Sequence, residues 1–428
     1  MPPIPSPATS APATSATATP VTLGVAGVGG YAGVITDLIL ANEQTTDPRV
    51  RLAGVCDPNP GAFPDRVAAL RGKGVQVFDS FDALLAVDAI DAVWLPIPID
   101  LHRPFTEQAL AAGKAVMVEK PAAGTVDELD AMIAARDAAG LPVAVGFQDQ
   151  YRLATLVVKQ RLLDGVLGPI RRASVVGLGP RTDTYFKRSA WAGRIRHNGR
   201  YVLDSPAQNA MAHFINLPLF LLGPSLHEHA HPVDVEAELY RAAAIENYDT
   251  ISGRVTLEEG PALLILMTHA CEQTSHPAIR IQGERGELTW SPINGPAILT
   301  TPDGREVIGA DEGAPEASRR MLQRFARLVR GVDEPEVAVA TLESARRHTV
   351  VINGISEAAP IIAAPPEAVA QVAGRGGTVA AIKGIEQAFE RCAARHALLH
   401  EAGGLGFTPR AGRRSLVGYS HFAGPAGG

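Results

Sequence analysis

Residues 22–42 read TLGVAGVGGYAGVITDLILAN, and this stretch decides the fold. A short apolar run breaks at a glycine cluster and resumes as a longer apolar segment, so it reads as strand, tight turn, helix. Inside the turn, Gly27, Gly29 and Ala32 stand in a G-x-G-x-x-A pattern. The first glycine of such a turn permits the sharp bend, and the second lets backbone approach a pyrophosphate. The third, small residue lets helix and strand pack closely, with the phosphates at the helix N-terminus. Gly30 and Tyr31 complete the loop, and all five residues are expected to hold a dinucleotide. Asp57, at the end of the next apolar run in GVCDPNP, is suited to accept hydrogen bonds from ribose hydroxyls. No Arg or Lys follows it immediately, which favours NAD over NADP.

Outward from this turn the pattern is regular. RLAGVCD, VQVF, DAVWLPIP, AVMVEKP and PVAVGF read as short buried strands, with helical stretches between them. That alternation predicts an α/β domain over residues 21–147, a doubly wound parallel sheet covered on both faces. The rhythm changes after Gln148. One helical stretch precedes IRRASVVGLG, and a train of strand-like segments follows from DVEAELYRAA to AILTTPDG, with turns at EEGP, GERGE and PDG. A second α/β domain over residues 148–360, built on a large, mostly antiparallel sheet, is the expectation. Residues 361–428 read as an extension around one helix, KGIEQAFERCAARHALLHEAGG.

The bulk numbers exclude some classes. A chain of 428 residues suggests two or three domains, and a net charge of −6 leaves no electrostatic footprint for nucleic acid or an anionic membrane. The apolar run within residues 210–223 is too short and too interrupted to span a bilayer. Cys56, Cys271 and Cys392 show no metal-ligand spacing and no even framework, which fits a reducing, cytoplasmic setting. Residues 1–20 carry no charged side chain and are rich in Pro, Ala, Ser and Thr. They read as a disordered tail rather than a secretion signal.

Two further strings carry chemistry. Glu119-Lys120-Pro121 falls at the C-terminal end of a late strand, the edge where such sheets bind ligands. A lysine held there can lose proton affinity and share a proton with a substrate hydroxyl. The second string is LDSPAQNAMAHF, residues 203–214, in which Ser205 and Pro206 look like an N-cap and first helical residue. Asn209, His213 and Asn216 then follow at spacings of four and three, placing a polar stripe on one face of an apolar helix.

With these strings the chain resembles the Gfo/Idh/MocA oxidoreductases, whose hallmark is a Glu-Lys-Pro motif after a glycine loop. The run LPIPIDLHRPFTEQALAAGKAVMVEKP and the junction LLDGVLGPIRRAS add to the likeness, which covers roughly residues 21–360. The resemblance implies a Rossmann domain joined to a sheet domain that often forms an oligomer interface, here a homo-oligomeric dimer or tetramer. It also implies a catalytic Asp and, four residues later, a His that complete the site with the lysine. Carried onto this chain, these positions are Asn209 and His213, beside Lys120. Asn209 offers only a dipole where the family has a carboxylate, so Asp204, at the mouth of the same helix, is a candidate substitute. Asn216 also departs from the family's usual Asp.

Pro98, His102 and Glu119 are expected near the nicotinamide, with Trp94 against it or in the core. Trp191, Arg194 and Arg196, in SAWAGRIRHNGRY, are candidates to contact a polar substrate, and Tyr240, Arg241, Asp249 and His269 are candidate wall residues. His227, His229 and His231 alternate as strand-borne ligands do, but no carboxylate motif accompanies them and no metal is expected. The expected activity is hydride transfer between NAD and a sugar, polyol or related cyclic hydroxyl compound. NAD-assisted glycoside cleavage and a dinucleotide- or sugar-binding sensor with a decayed site are the alternatives.

Overall fold

The computed structural model describes residues 19–46, 49–293, 295–309, 313–332 and 339–427. The expected tail, apart from its last two residues, lies outside them. The first sheet is formed by β1 (Val21–Ala26), β2 (Val50–Cys56), β3 (Gln76–Phe78), β4 (Ala92–Leu95), β5 (Ala115–Val118) and β6 (Val143–Val145). All neighbours are parallel and the order is β3-β2-β1-β4-β5-β6, the doubly wound arrangement. Helices α1 (Gly30–Glu43), α2 (Pro64–Gly72), α3 (Phe81–Leu85), α4 (Ile99–Ala111) and α5 (Val126–Ala139) make the crossovers. Every residue of β1, β4, β5 and β6 is buried, because helices cover both faces.

Next come α6 (Leu153–Leu163), β7 (Ile170–Leu178), the short α7 (Asp183–Phe186), and a small hairpin of β8 (Arg196–His197) and β9 (Arg200–Tyr201). Helix α8 (His213–Leu221) precedes β10 (Pro232–Arg241), β11 (Thr250–Leu257), β12 (Ala262–Thr268), β13 (Ser275–Gly283), β14 (Gly286–Trp290), β15 (Ala297–Thr301) and β16 (Gly304–Ile308). Two helices follow, α9 (Ala314–Val329) and α10 (Leu342–Ala358). The second sheet runs β16-β15-β14-β13-β7-β12-β11-β10, antiparallel through these eight strands except where β7 lies parallel to β12. In β12 the alternation separates two cores. Leu263, Ile265 and Met267 face the helices α8 and α10, whereas Leu264 and Leu266 face the other way.

That other face is where sequence and structure part. The extension is more than one helix: β17 (Ile361–Ala363) and, further on, β20 (Gly412–Ser415) both pair with β10. Between them β18 (Val369–Gly374) and β19 (Gly377–Ile382) form a hairpin, and α11 (Ile385–Arg395) follows. The helix ends where His396 turns left-handed at φ 53°, so HALLHEAGG is not helical. Ile385, Phe389, Leu398 and Leu399 pack on Leu264 and Leu266, so the chain covers part of its own sheet face. Helix α9 departs from the order of the chain in the other direction. Its Met321, Leu322 and Phe325 join the core of the first sheet, and α10 contributes Leu342 to that core and Ile352 to the second.

Candidate active site

The glycine loop between β1 and α1 has the backbone its residues predict. Gly27 adopts φ 107°, and a Cβ there would stand 2.9 Å from that of Ala32, so glycine and a small partner are both required. Gly29 precedes α1, and no side chain caps its first amides, which leaves donors free for an anion. A side chain at Gly29 would collide with the ring of Phe63, which rests against the loop. Asp57 sits at the end of β2. One carboxylate oxygen accepts from the Val28 amide at 3.2 Å and the other from the Asn59 amide at 2.9 Å. An uncapped fourteen-residue helix, a glycine cradle and an adjacent carboxylate fit a dinucleotide.

At the end of β5, Glu119 is buried among Trp94, Lys120 and Gly146. The Trp94 indole donates to it at 3.1 Å and the Lys120 amide at 3.2 Å. Gly146 leaves it room, since a Cβ there would lie 2.6 Å from a carboxylate oxygen. Burial raises the Glu119 carboxyl to about 7, against the opposing charge of Lys120. Burial likewise lowers the proton affinity of Lys120, while Glu119 and Asp204 act to raise it. The Lys120 ammonium donates to the Asn209 backbone carbonyl at 3.0 Å and to its side-chain oxygen at 3.3 Å. Two donors are thus fixed and one is left for the cavity.

The predicted polar stripe is divided. Ser205 accepts from the Gln208 amide, as a cap should, and Pro206 opens a single wide turn over Pro206–Ala210. The chain turns again before α8 begins at His213. Asn209 and His213 both line the cavity, but Asn216 does not: it is buried, with its side-chain oxygen unbonded. Asn209 in turn donates to Asp204 at 2.9 Å. Asp204 also accepts from the Gly193 amide at 2.6 Å, has Arg188 at 4.0 Å, and is buried behind Asn209. It does not face the cavity, so its expected contact with substrate becomes a support for Asn209.

Sequence reasoning missed Asp149. This acid lies in the turn after β6, bonded to Arg152 at 2.8 Å, and its other oxygen stands 3.7 Å from Nδ1 of His213. Burial lowers the His213 imidazole to about 4, and the Asp149 charge partly offsets this. The ring of Phe147 packs edge-on to His213 with centroids 5.7 Å apart. The signal available was position: an acid directly follows a buried strand at the ligand-binding edge.

The cavity enclosed by these groups is about 530 Å³, lined by Tyr31, Pro98, Lys120, Trp191, Asn209 and His213 among others. Several expectations for its surroundings need correction. His102 is buried outside the lining, its two ring nitrogens 2.9 Å from the carbonyls of Pro121 and Ile97, so it braces the loops rather than meeting the nicotinamide. Arg194 lines a different cavity. Trp94 takes the core alternative expected for it, wholly buried and touching the site only through Glu119. Arg196 stacks on Tyr201 in the β8–β9 hairpin, Tyr240 packs against Phe407 beneath the extension, and Arg241 donates to the Glu246 carbonyl. Asp249 accepts from the Ala242 and Ala243 amides, and His269 is tied to the Gly179 carbonyl, so none of these lines the cavity. His229 is buried against Phe220 and His231 pairs with Glu258 and Glu259. Among the described residues no three His, Cys, Asp or Glu side chains converge to hold a metal, and no helix is long and apolar enough to cross a membrane.

Comparison with known proteins agrees with this geometry. Residues 21–147 match the family described as an oxidoreductase family with an NAD-binding Rossmann fold. The chain is 26% identical to a dTDP-3,4-didehydro-2,6-dideoxy-alpha-D-glucose 3-reductase of Saccharopolyspora spinosa, over 79% of its own length and 97% of the relative's. It is 24% identical to an inositol 2-dehydrogenase of Rhizobium meliloti, over 63% and 74%. The WlbA dehydrogenase of Bordetella pertussis, solved with NADH and UDP-GlcNAcA, shares the fold. Its TM-score is 0.64 at 23% identity, covering 79% of this chain and 95% of that one.

Proposed function

We propose that this chain is a member of the Gfo/Idh/MocA family of NAD-binding oxidoreductases and that it oxidises or reduces a ring carbon of a sugar, polyol or related cyclic hydroxyl compound. The observation that carries the reading is the cavity in which Lys120, Asn209 and His213 meet beside the glycine loop. Gly27, Gly29, Gly30, Ala32 and Asp57 would hold the dinucleotide, with Tyr31, Pro98 and Glu119 toward its nicotinamide end. When bound, NAD supplies the hydride acceptor or donor.

The chain's own residues handle the proton and the orientation. The third donor of Lys120 binds the substrate oxygen and stabilises the negative charge that grows on it during oxidation. His213, uncharged at neutral pH, accepts the hydroxyl proton on the nitrogen away from Asp149. The Asp149 carboxylate then stabilises the imidazolium. Asp204 acts through Asn209, holding the amide so that its oxygen faces Lys120. The carboxylate absent from position 209 is therefore supplied at one remove on both sides, which weakens the motive for a decayed sensor.

The test is nicotinamide absorbance during incubation with NAD and a panel of sugars and polyols. NADH should accumulate with at least one, and Lys120→Ala should lower kcat by about 10²- to 10⁴-fold while NADH still binds. NADH binding without reduction by any compound would overturn the reading, and turnover without net NADH would favour glycoside cleavage instead. The same proposal includes a cytoplasmic homo-oligomer. Three buried, unpaired cysteines suit a reducing compartment, and the exposed Leu153 and Val157, one turn apart on α6, suit self-association. Light scattering during gel filtration measures the assembly.

A further inference from the structure

A second cavity is larger than the catalytic one. About 840 Å³ in volume, it lies between the segment after β7, the loop after β10 and the β18–β19 hairpin of the extension. The two cavities share one wall. In residues 189–194, Trp191 lines the catalytic cavity, while its neighbours Ser189, Ala190, Ala192 and Arg194 line the second. Residues 189–194 therefore border both the space at Lys120 and the second cavity.

The charges around that cavity are unbalanced in one direction. Arg181, Lys187 and Arg194 face it, together with Asp183 and Glu246. Asp183 is already committed to Lys187 at 2.6 Å and to the Thr378 amide at 3.0 Å. Glu246 receives the Ile195 amide at 3.1 Å. Arg181 lies over the ring of Tyr185, and its buried Nε has no hydrogen-bond partner. Arg194 forms no ion pair among the described residues and is exposed. Two guanidinium groups are thus left without a carboxylate partner, and their planar donor forks match phosphate oxygens. Phe186, also in the lining, offers an apolar ring beside them. The volume lies within the range that encloses an extended ligand and far exceeds what a single phosphate fills.

We propose that this second cavity binds the phosphoryl-bearing end of the substrate, so that the enzyme acts on a sugar carried on a diphosphate-linked group rather than on a free sugar. The proposal rests on the oxidoreductase reading for the identity of the ring, but the site is defined by Arg181 and Arg194 alone. It assigns the extension a role in specificity, since Gln371, Thr378 and Ala380 of the β18–β19 hairpin close the cavity.

Isothermal titration of the full-length protein with UDP and with inorganic pyrophosphate tests the site. Both probes should bind. Arg194→Gln and Arg181→Gln should each weaken binding by about tenfold or more, and added salt should weaken it further in the wild type. Arg194 is exposed, so its variant is expected to fold, and an unchanged melting temperature checks this. Absence of UDP binding, or binding indifferent to Arg194→Gln, would overturn the proposal. So would pyrophosphate that binds at the arginines without competing against UDP-linked sugars, since that is a free-anion site. Because titration needs no turnover, its outcome is separate from whether any sugar is oxidised in the catalytic cavity.

Discussion

Each side chain in the catalytic cavity is set by a neighbour that the linear sequence keeps at a distance. His213 is the clearest case: its imidazole is held to about 4 by burial, so above that pH it is a neutral proton acceptor. Once protonated it depends on Asp149, at 3.7 Å, to stabilise the charge. Replacing Asp149 by Asn keeps an acceptor for Arg152 but removes that charge. We expect D149N to lower kcat by about tenfold or more through loss of the charge facing His213, and to lower the melting temperature as well, because Asp149 and Arg152 form a buried pair. Steady-state kinetics read beside thermal unfolding separate the two effects, and a kcat within about twofold of wild type would exclude Asp149 from the reaction. The glycine loop, Asp57 and Lys120 were all legible, because each is specified by local backbone demands or by strand position. Asp149 and Asp204 were less so. The carboxylate facing His213 comes from the crossover between sheets, and the support for Asn209 reaches it across a turn rather than along one helix face.

At the scale of elements, the segment that carries Asn209 and His213 is fixed at both ends. Ser205 caps its start, and Lys159 of α6 binds its finish by donating to the carbonyls of Phe220 and Gly223 at 2.6 Å each. Such a cation suits the negative end of α8, but burial lowers its ammonium from 10.5 to about 7. The unfolded chain therefore binds a proton between these values that the folded chain does not, so Lys159 adds stability as pH rises from 7 toward 10.5. Relative to Lys159→Met, the wild type should gain about 2 kcal/mol between about pH 7 and about pH 9, seen in urea midpoints at each pH. Equal pH slopes for the two proteins would mean that this lysine is not buried as described. The interrupted segment also explains where element reading from sequence stopped. Ser205-Pro206 marked the start correctly, but spacing alone assumed one continuous helix, whereas the wide turn over Pro206–Ala210 reorients the chain before His213. Nor does the order of the chain name the surface that α9 covers, which is the first sheet's core.

Across the whole molecule, the buried histidines determine how the protein meets acid. Burial lowers His213 to about 4 and His229, His269 and His348 to about 3, whereas each takes a proton near 6.5 when the chain is unfolded. Two buried carboxyls act the other way, Glu119 raised to about 7 and Asp249 to about 6. Between about pH 5 and about pH 6, the unfolded chain thus binds close to four protons on these imidazoles and few on the carboxyls. The folded chain binds none on the imidazoles and up to two on the carboxyls. More protons are bound unfolded, so stability rises with pH across this window and is lost as pH falls from 6.5 toward 4. A net difference of about two protons corresponds to about 3 kcal/mol per pH unit. The titrating groups lie at both cores, since Glu119 follows β5 of the first sheet, His229 packs on Phe220 in the second core, and α10, which carries His348, joins the two. The loss is therefore expected as one cooperative transition rather than two, read by urea denaturation followed by circular dichroism and tryptophan fluorescence together. Trp94 reports the first sheet and Trp290 the second, so non-coincident transitions would show that α9 and α10 do not couple the domains.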